Sequence, residues 1–557
     1  FAVIELSTAM PKAGGDYYFV ERSMGPLAGT ISGFLSWFAL SMKSAFAIFG
    51  MATMLEHLFG WDYTWTGIII TLFFVGLNIH GVKEAARFET ILVLALLAIM
   101  AAFIILGMPQ VQVRRFEPFV PSGSSALAIL ETAGVVFVSF GGLLKLSSVS
   151  EEVRDPSRNI PLGMIVSLTV VTILYTLIMI VVAGISTPEI LNTSLTPLAD
   201  TAGQFYGKPA FYIICLGAAF AFMTTANAGI MSASRYPMAL SRDLLIPAWI
   251  SRINPYFKTP VYSLLITGAV ILLALQLELI ILVKSASAVI LTSYILSNVS
   301  IIILRESGLH NYRPTFRAPL YPWLQMVSII LFIVIICLMG WQAVDVSLAV
   351  LLVGLVVFMF YGRRANREFA LLHLVARITN KKLPVHGLEE ELKEIIHRRD
   401  DVVKDEFDYL IESAPILIVQ EKVSSDELFR QIAEKFSGVA RMKNEEMYAL
   451  LKEREAESST ALTSHLAIPH LITEGEGQFM LFLVKCIEGA EFSKEYNEVK
   501  AVFVLLGTRD LRNRHLKTLA AIAQITQDKL FEQRWQLAVD ENHLKDVLLL
   551  AKRKRSG

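Results

Sequence analysis

Two lysines and a pair of glycines are the residues of this sequence whose setting first suggests chemistry. Ser139-Phe140-Gly141-Gly142 interrupts an apolar run that opens near Ala133, and Lys145 follows just past the interruption. Lys43 stands in the middle of a second apolar run, 27–58. Adjacent glycines weaken a helix by about 1 kcal/mol each relative to alanine. Irregular backbone at membrane depth is tolerated only where protein or a watery cavity supplies hydrogen-bond partners. The break at Ser139, Phe140, Gly141 and Gly142 therefore predicts a binding cavity, as in carriers whose discontinuous helices hold solute at the midplane. The competing reading is a packing kink, because glycine is frequent in membrane helices. An ionisable side chain at such depth costs about 2.5–3.5 kcal/mol on insertion scales, so it faces the bundle interior and marks a pathway. Lys145 stands close enough to Glu151 and Glu152 to pair there or to snorkel; Lys43 is too central for that. Three roles stay open for these lysines. They could neutralise a solute carboxylate or another anion, replace a sodium ion as a fixed cation, or release a proton because burial disfavours the charged form.

Composition supplies the elements that must position these residues. The chain has 557 residues and is 54% hydrophobic, too apolar for one soluble domain and matched to several spans of about 20 residues each. Fifty basic residues balance fifty acidic ones, but the balance averages two unlike parts, an apolar one to about Gly362 and a soluble one from Arg363. Net charge thus gives no reason to expect nucleic acid. Cys215 and Cys337 lie in apolar runs and Cys486 in the soluble part, so neither a disulfide framework nor metal-ligand spacing exists. No metal or cofactor is expected. Apolar runs at 27–58, 65–79, 88–106, 126–146, 163–184, 210–231, 261–283, 285–303, 323–339 and 344–360 read as ten spans, with a partial one at 1–10. The opening FAVIELSTAM is too short to cross a bilayer, which creates the expectation that a first helix is missing. Lys12, Arg22, Lys83, Arg87, Arg154, Arg158, Arg235, Arg242, Arg252, Lys258, Arg305, Arg313 and Arg317 fall on one alternating set of loops. Arg114, Arg115 and Lys208 fall on the other. The positive-inside rule makes the first set cytoplasmic, and with it the soluble tail.

STAMPKAGGDYYFVERSMGPLAG, NIHGVKEAARFE, SEEVRDPSRNIPLGM and NAGIMSASRYPMALSRDLLIP recur in order at a spacing that resembles the loops of the amino acid–polyamine–organocation transporter family. The resemblance covers 1–362. It implies a polytopic α-helical membrane protein of inverted-repeat, LeuT-like fold, beginning within the second helix. It also implies a substrate site between the broken first and sixth helices, of which the sixth maps onto Val138 to Gly142. Thr224 and Thr225 fall in a region resembling the place where sodium-coupled relatives supply hydroxyl oxygens; the plainer reading bonds them to their own helix.

Residues 363–412 read as an amphipathic helical linker whose basic start suits an anionic leaflet. From 413 to 552, PILIVQE, QFMLFLVKCIE and VKAVFVLLG read as buried strands. They alternate with the helical SSDELFRQIAEKF, NEEMYALLKERE and RHLKTLAAIAQITQ, an α/β pattern. LKEREAESSTALTSHLAIPHLI and LLGTRDLRNRHLKTLAAIAQI resemble the active segments of enzyme IIA domains of the fructose–mannitol class of the sugar phosphotransferase system. The resemblance makes His470 the phosphoryl acceptor, with Arg454 and His515 stabilising the group and a phosphocarrier protein as donor. A neutral imidazole is nucleophilic near pH 7, and a guanidinium fork suits phosphate oxygens. Leu462, His465, Leu466 and Leu471 depart from that family's small residues, and Leu471 is expected to crowd the histidine.

The leading reading is a secondary-active transporter of amino acids or related small organic solutes, not an enzyme, in a prokaryotic plasma membrane. A coupling proton or sodium ion and a homodimer are compatible with it, and its cytoplasmic tail would regulate it. The alternatives are an inorganic ion carrier for potassium or chloride, and a solute sensor with a phosphorelay domain.

Overall fold

The computed structural model describes residues 1–12, 14–80, 85–117, 127–148, 150–364, 368–379, 387–400, 402–528, 530–538 and 540–555. Lys83 and residues 365–367, 380–386 and 401 of the 363–412 linker therefore lie outside the described residues. Two compact units emerge, Phe1–Leu392 and Lys393–Gly557.

Regular structure in the first unit is helical. Its elements run Ala2–Ala9 (α1), Asp16–Met24 (α2), Pro26–Phe59 (α3), Tyr63–His80 (α4), Ala85–Gly107 (α5), Leu127–Val136 (α6), Gly142–Ser148 (α7) and Pro156–Ile185 (α8). Pro188–Thr193 (α9), Pro197–Arg242 (α10), Val261–Ala274 (α11), Leu279–Glu306 (α12), Trp323–Leu338 (α13), Trp341–Phe360 (α14) and Ala370–Thr379 (α15) complete it. Among the described residues, eight helical runs are long and apolar enough to cross a membrane, and α11 and α13 are shorter apolar helices. The expected span at 261–283 is corrected. Helix α11 stops at Ala274, and α12 starts at Leu279 with Glu278 as its N-cap. Gln276 and Glu278 place polar groups in the middle of that apolar run, and the chain turns there.

Helix α3 is the centre of this unit because small residues let its neighbours approach. A methyl on Gly33 would stand 2.8 Å from Leu240 of α10, and one on Gly50 2.5 Å from Phe222. Without a hydrophobic drive between lipid-solvated helices, such close packing is what holds a bundle together. Loop ends are fastened by buried charge. Glu5 accepts from Arg305 Nε at 2.8 Å, Tyr312 OH at 3.0 Å and the Ala318 amide at 2.6 Å. Gly387–Arg399 (α16) carries the boundary between the units. Near its start Glu391 bonds Arg22 at 2.7 and 2.9 Å, while Glu389 accepts the His310 and Asn311 amides at 2.9 and 3.0 Å.

The second unit is a mixed sheet covered on both faces. Its strands are Ile416–Val419 (β1), Val423–Ser424 (β2), Ala461–Thr463 (β3), Leu466–Ala467 (β4), His470–Thr473 (β5), Phe479–Glu491 (β6) and Val499–Thr508 (β7). The main order is β1-β6-β7-β4-β3, with β5 also on β7; β6 and β7 are antiparallel, as are β3 and β4, while β1 runs parallel to β6 and β4 and β5 run parallel to β7. Its helices are Glu406–Ser413 (α17), Ser425–Ala440 (α18), Asn444–Glu457 (α19), Arg512–Thr526 (α20), Phe531–Leu537 (α21) and Glu541–Leu549 (α22). Strand alternation divides β6 between two cores. Leu481 and Leu483 pack with Ile522, Trp535 and Leu544, whereas Phe482 and Val484 pack with Leu428, Phe436 and Met447.

Helix α17 belongs to the first of these cores through Phe407, Leu410 and Ile411. Asp405 caps it and meets the buried Arg553 in two bonds of 2.6 Å, and Asp408 lies 2.9 Å from the same guanidinium. Burial pushes the Asp405 carboxyl up, but Arg553 and the Asp408 and Phe407 amides outweigh it and hold the group at about 2. Arg553→Met takes the guanidinium from the buried Asp405 carboxylate, while Asp408 keeps Arg555 at 3.0 Å, an expected loss of about 3–5 kcal/mol. Hydrogen exchange at the α17 amides checks this. The carboxylate's own contribution is full above its ordinary 3.8 and fades as pH falls through about 2, so the variant's deficit narrows in acid.

Candidate functional site

The interruption in the membrane unit is a tightened turn rather than an extended gap. Phe137–Phe140 forms one 3-10 turn between α6 and α7, closed by the Gly141 amide donating to Val138 O at 3.1 Å. Such a turn frees helical amides, and buried ones need partners. Ser287 of α12 supplies one: its hydroxyl accepts from Val138 N–H at 3.0 Å and donates to Val135 O at 3.3 Å. Val138 and Gly141 are buried, Phe140 is half-buried, and Ser139 and Gly142 are exposed. The Phe140 ring meets Tyr175 of α8 edge-on at 5.5 Å. A methyl on Gly141 would stand 2.8 Å from Ile290 and 3.7 Å from Lys43 Nζ, so the central lysine reaches the interrupted backbone. Lys145 lies near enough for its charge to act on Lys43. Thr224 spends its hydroxyl on Phe220 O and Ala221 O of its own helix, at 3.0 and 3.1 Å; Thr225 is half-buried beside it. A cavity of about 340 Å³ opens between α3, α5 and α10, lined by Phe46, Gly50, Met100, Cys215 and Phe222 among others. Its lining omits Val138 to Gly142, so the space is not at the turn.

In the second unit His470, Arg454 and His515 come together from β5, α19 and α20. Arg454 Nε donates to His470 Nε2 at 3.1 Å, and its Nη1 is steadied by Ser458 O and Oγ at 3.1 and 2.9 Å. Because a guanidinium only donates, Nε2 here presents its lone pair. The proton then sits on Nδ1, 3.3 Å from Ile468 O. The His515 ring stands 5.6 Å from that of His470 and packs edge-on against Phe479 at 6.0 Å. Leu471 does not crowd the nucleophile as expected. Alternation turns it inward, 2% exposed, among Val504 and Leu506. Leu466 is buried as well, while Leu462 is exposed and His465 lies 3.3 Å from Glu532.

Residues 1–361 match the family model described as amino acid permease. The chain belongs to the amino acid permease family. Its permease region is 28% identical over 353 residues to a methylthioribose transporter of Bacillus subtilis, covering 59% of this chain and 75% of that one. It is also 28% identical over 291 residues to the branched-chain amino acid permease BcaP of the same organism, covering 52% and 61%. Residues 410–550 match the model for the EIIA 2 domain of the phosphoenolpyruvate-dependent sugar phosphotransferase system. Among solved structures, the nitrogen regulatory protein IIA-Ntr of Neisseria meningitidis is 21% identical, with a TM-score of 0.24, over 25% of this chain and 99% of that one. This permease is therefore a multi-pass membrane transporter rather than an enzyme, and it carries a phosphoryl-carrier type of domain.

Two features of the permease region escape a reading of the sequence. Ser287 looks like any serine of an apolar helix, and only the fold brings it to Val138. Lys284 of α12 donates to Met339 O at 3.0 Å and lies 3.9 Å from Glu131 of α6, tying the first half of the broken helix to its neighbours. In the EIIA-like domain, burial and then the nearby His470 hold His515 below its ordinary 6.5. A dianionic phosphoryl group on His470 would reverse this, raising the His515 pKa by about 1–3. Ring-proton NMR titration of His515 with and without phosphorylation reads the change; an unmoved midpoint would separate His515 from the site.

Proposed function

We propose that the permease carries amino acids or related small organic solutes by alternating access around the turn between α6 and α7. The C-terminal domain lies on the cytoplasmic side and regulates this movement by taking a phosphoryl group on His470 Nε2. The observation that carries the reading is the serine-braced turn facing Lys43 within a permease-family bundle. The printed substrates of the two relatives, methylthioribose and branched-chain amino acids, support a small organic cargo. Loop arginines and lysines support the orientation.

In the regulatory step the Nε2 lone pair attacks phosphorus as the bond to a phosphocarrier donor breaks, and Arg454 turns its donors to the phosphoryl oxygens. Regulation requires the domain to favour one access state over the other. A proton or sodium ion is the coupling ion, and a homodimer is compatible with the exposed apolar surface.

Initial uptake of an amino acid panel into proteoliposomes tests both halves, comparing the full chain with one ending at Glu412. Uptake in both, with a response to phosphorylation in the full chain alone, is expected. Equal uptake irrespective of the domain would defeat regulation, and no uptake by the full chain would defeat transport.

A further inference from the structure

Among the described residues Lys43 has no countercharge. It sits halfway along α3 among residues that pack inward, including Ala39, Met42 and Ala47. Its ammonium faces the backbone of the α6–α7 turn across a position where Gly141 contributes no side chain. Among the described residues no carboxylate or carbonyl bonds it, and the charged group acting on it is Lys145, a second cation. A cation in that setting is costly, and its neighbour increases the cost. An anion arriving at the turn would relieve both.

The same face of α3 continues through Phe46 and Gly50, three and seven residues on, into the apolar cavity of about 340 Å³. That is the small end of the range for ligand pockets and suits one apolar side chain. We infer that Lys43 is the countercharge for a solute carboxylate, with the solute's apolar portion directed along α3 into the cavity lined by Phe46, Gly50 and Phe222. This inference rests on the carrier reading and names its substrate class, an amphipathic monocarboxylate. Chloride is the other anion that could answer the same charge.

Thermal-shift titration of the purified full chain reads binding, because a ligand of the native state raises stability by RT ln(1 + L/Kd), where L is its free concentration. The probes are leucine, 4-methylpentanoate, which lacks the amine, 3-methylbutylamine, which lacks the carboxylate, and chloride. Both carboxylates are expected to bind the wild type and the amine to fail. K43M and K43Q are expected to weaken carboxylate binding at least tenfold, and K43R to retain most of it. Carboxylate affinity unchanged in K43M or K43Q overturns the inference. So does the absence of binding by either carboxylate, or a response to chloride alone. Leucine counterflow run in parallel separates the two readings. Flux with Lys43-independent affinity defeats this inference and spares the carrier, whereas Lys43-dependent binding without flux does the reverse.

Discussion

A His470→Gln chain is expected to take up no phosphoryl group from a phosphocarrier donor, and an Arg454→Gln chain to take it up about 10²–10³-fold more slowly. The first effect is absolute because an amide has no nucleophilic nitrogen. The second follows from losing a charged donor aimed at the place where negative charge develops. Arg454 Nε stands 3.1 Å from Nε2 and Ser458 steadies the guanidinium, so the charge is already beside the nucleophile and its donors turn from Nε2 to the phosphoryl oxygens. Glu455 fixes the same turn by accepting from the Thr460 amide and Ser459 hydroxyl, both at 2.8 Å. Phosphohistidine detection after incubation with donor decides the matter. Label on the His470→Gln chain would move the acceptor elsewhere.

That pair could be named from sequence only through a family resemblance, since nothing in the spacing of Arg454 and His470 announces a hydrogen bond. The membrane spans were legible for a simpler reason: lipid demands long apolar runs, and those are visible without a fold. The exception at 261–283 shows the limit, because an apolar run gives no notice of a turn inside it when the turn residues are only Gln276 and Glu278. Strands β3 to β5 are two to four residues long, too short for a period to register. Leu471 looked obstructive in one dimension and is harmless in three, because strand alternation sends it away from its neighbour. Ser287 was beyond reach, its partner Val138 being 149 residues away.

Gly141→Val is expected to reduce transport to background while the protein still inserts into membranes. The first added carbon would already lie 2.8 Å from Ile290 and 3.2 Å from Val138 O. Overpacking of this kind costs about 1–3 kcal/mol, which the bundle can absorb. The same side chain would stand between the Lys43 ammonium and the turn, excluding whatever binds there. Gly141→Ala, with one carbon, should retain part of the activity because the Ile290 tip can swing aside. Initial uptake measured against protein in the membrane fraction separates loss of function from loss of protein. Valine tolerated within twofold would remove the turn from the transport path.

The carrier claim itself is tested most directly by counterflow. Vesicles holding the purified full chain are loaded with unlabelled amino acid and diluted into a trace of labelled solute. A transient internal accumulation of label, abolished by Gly141→Val, is predicted. Label that binds the protein yet never overshoots inside the vesicles, across an amino acid panel, would contradict the account.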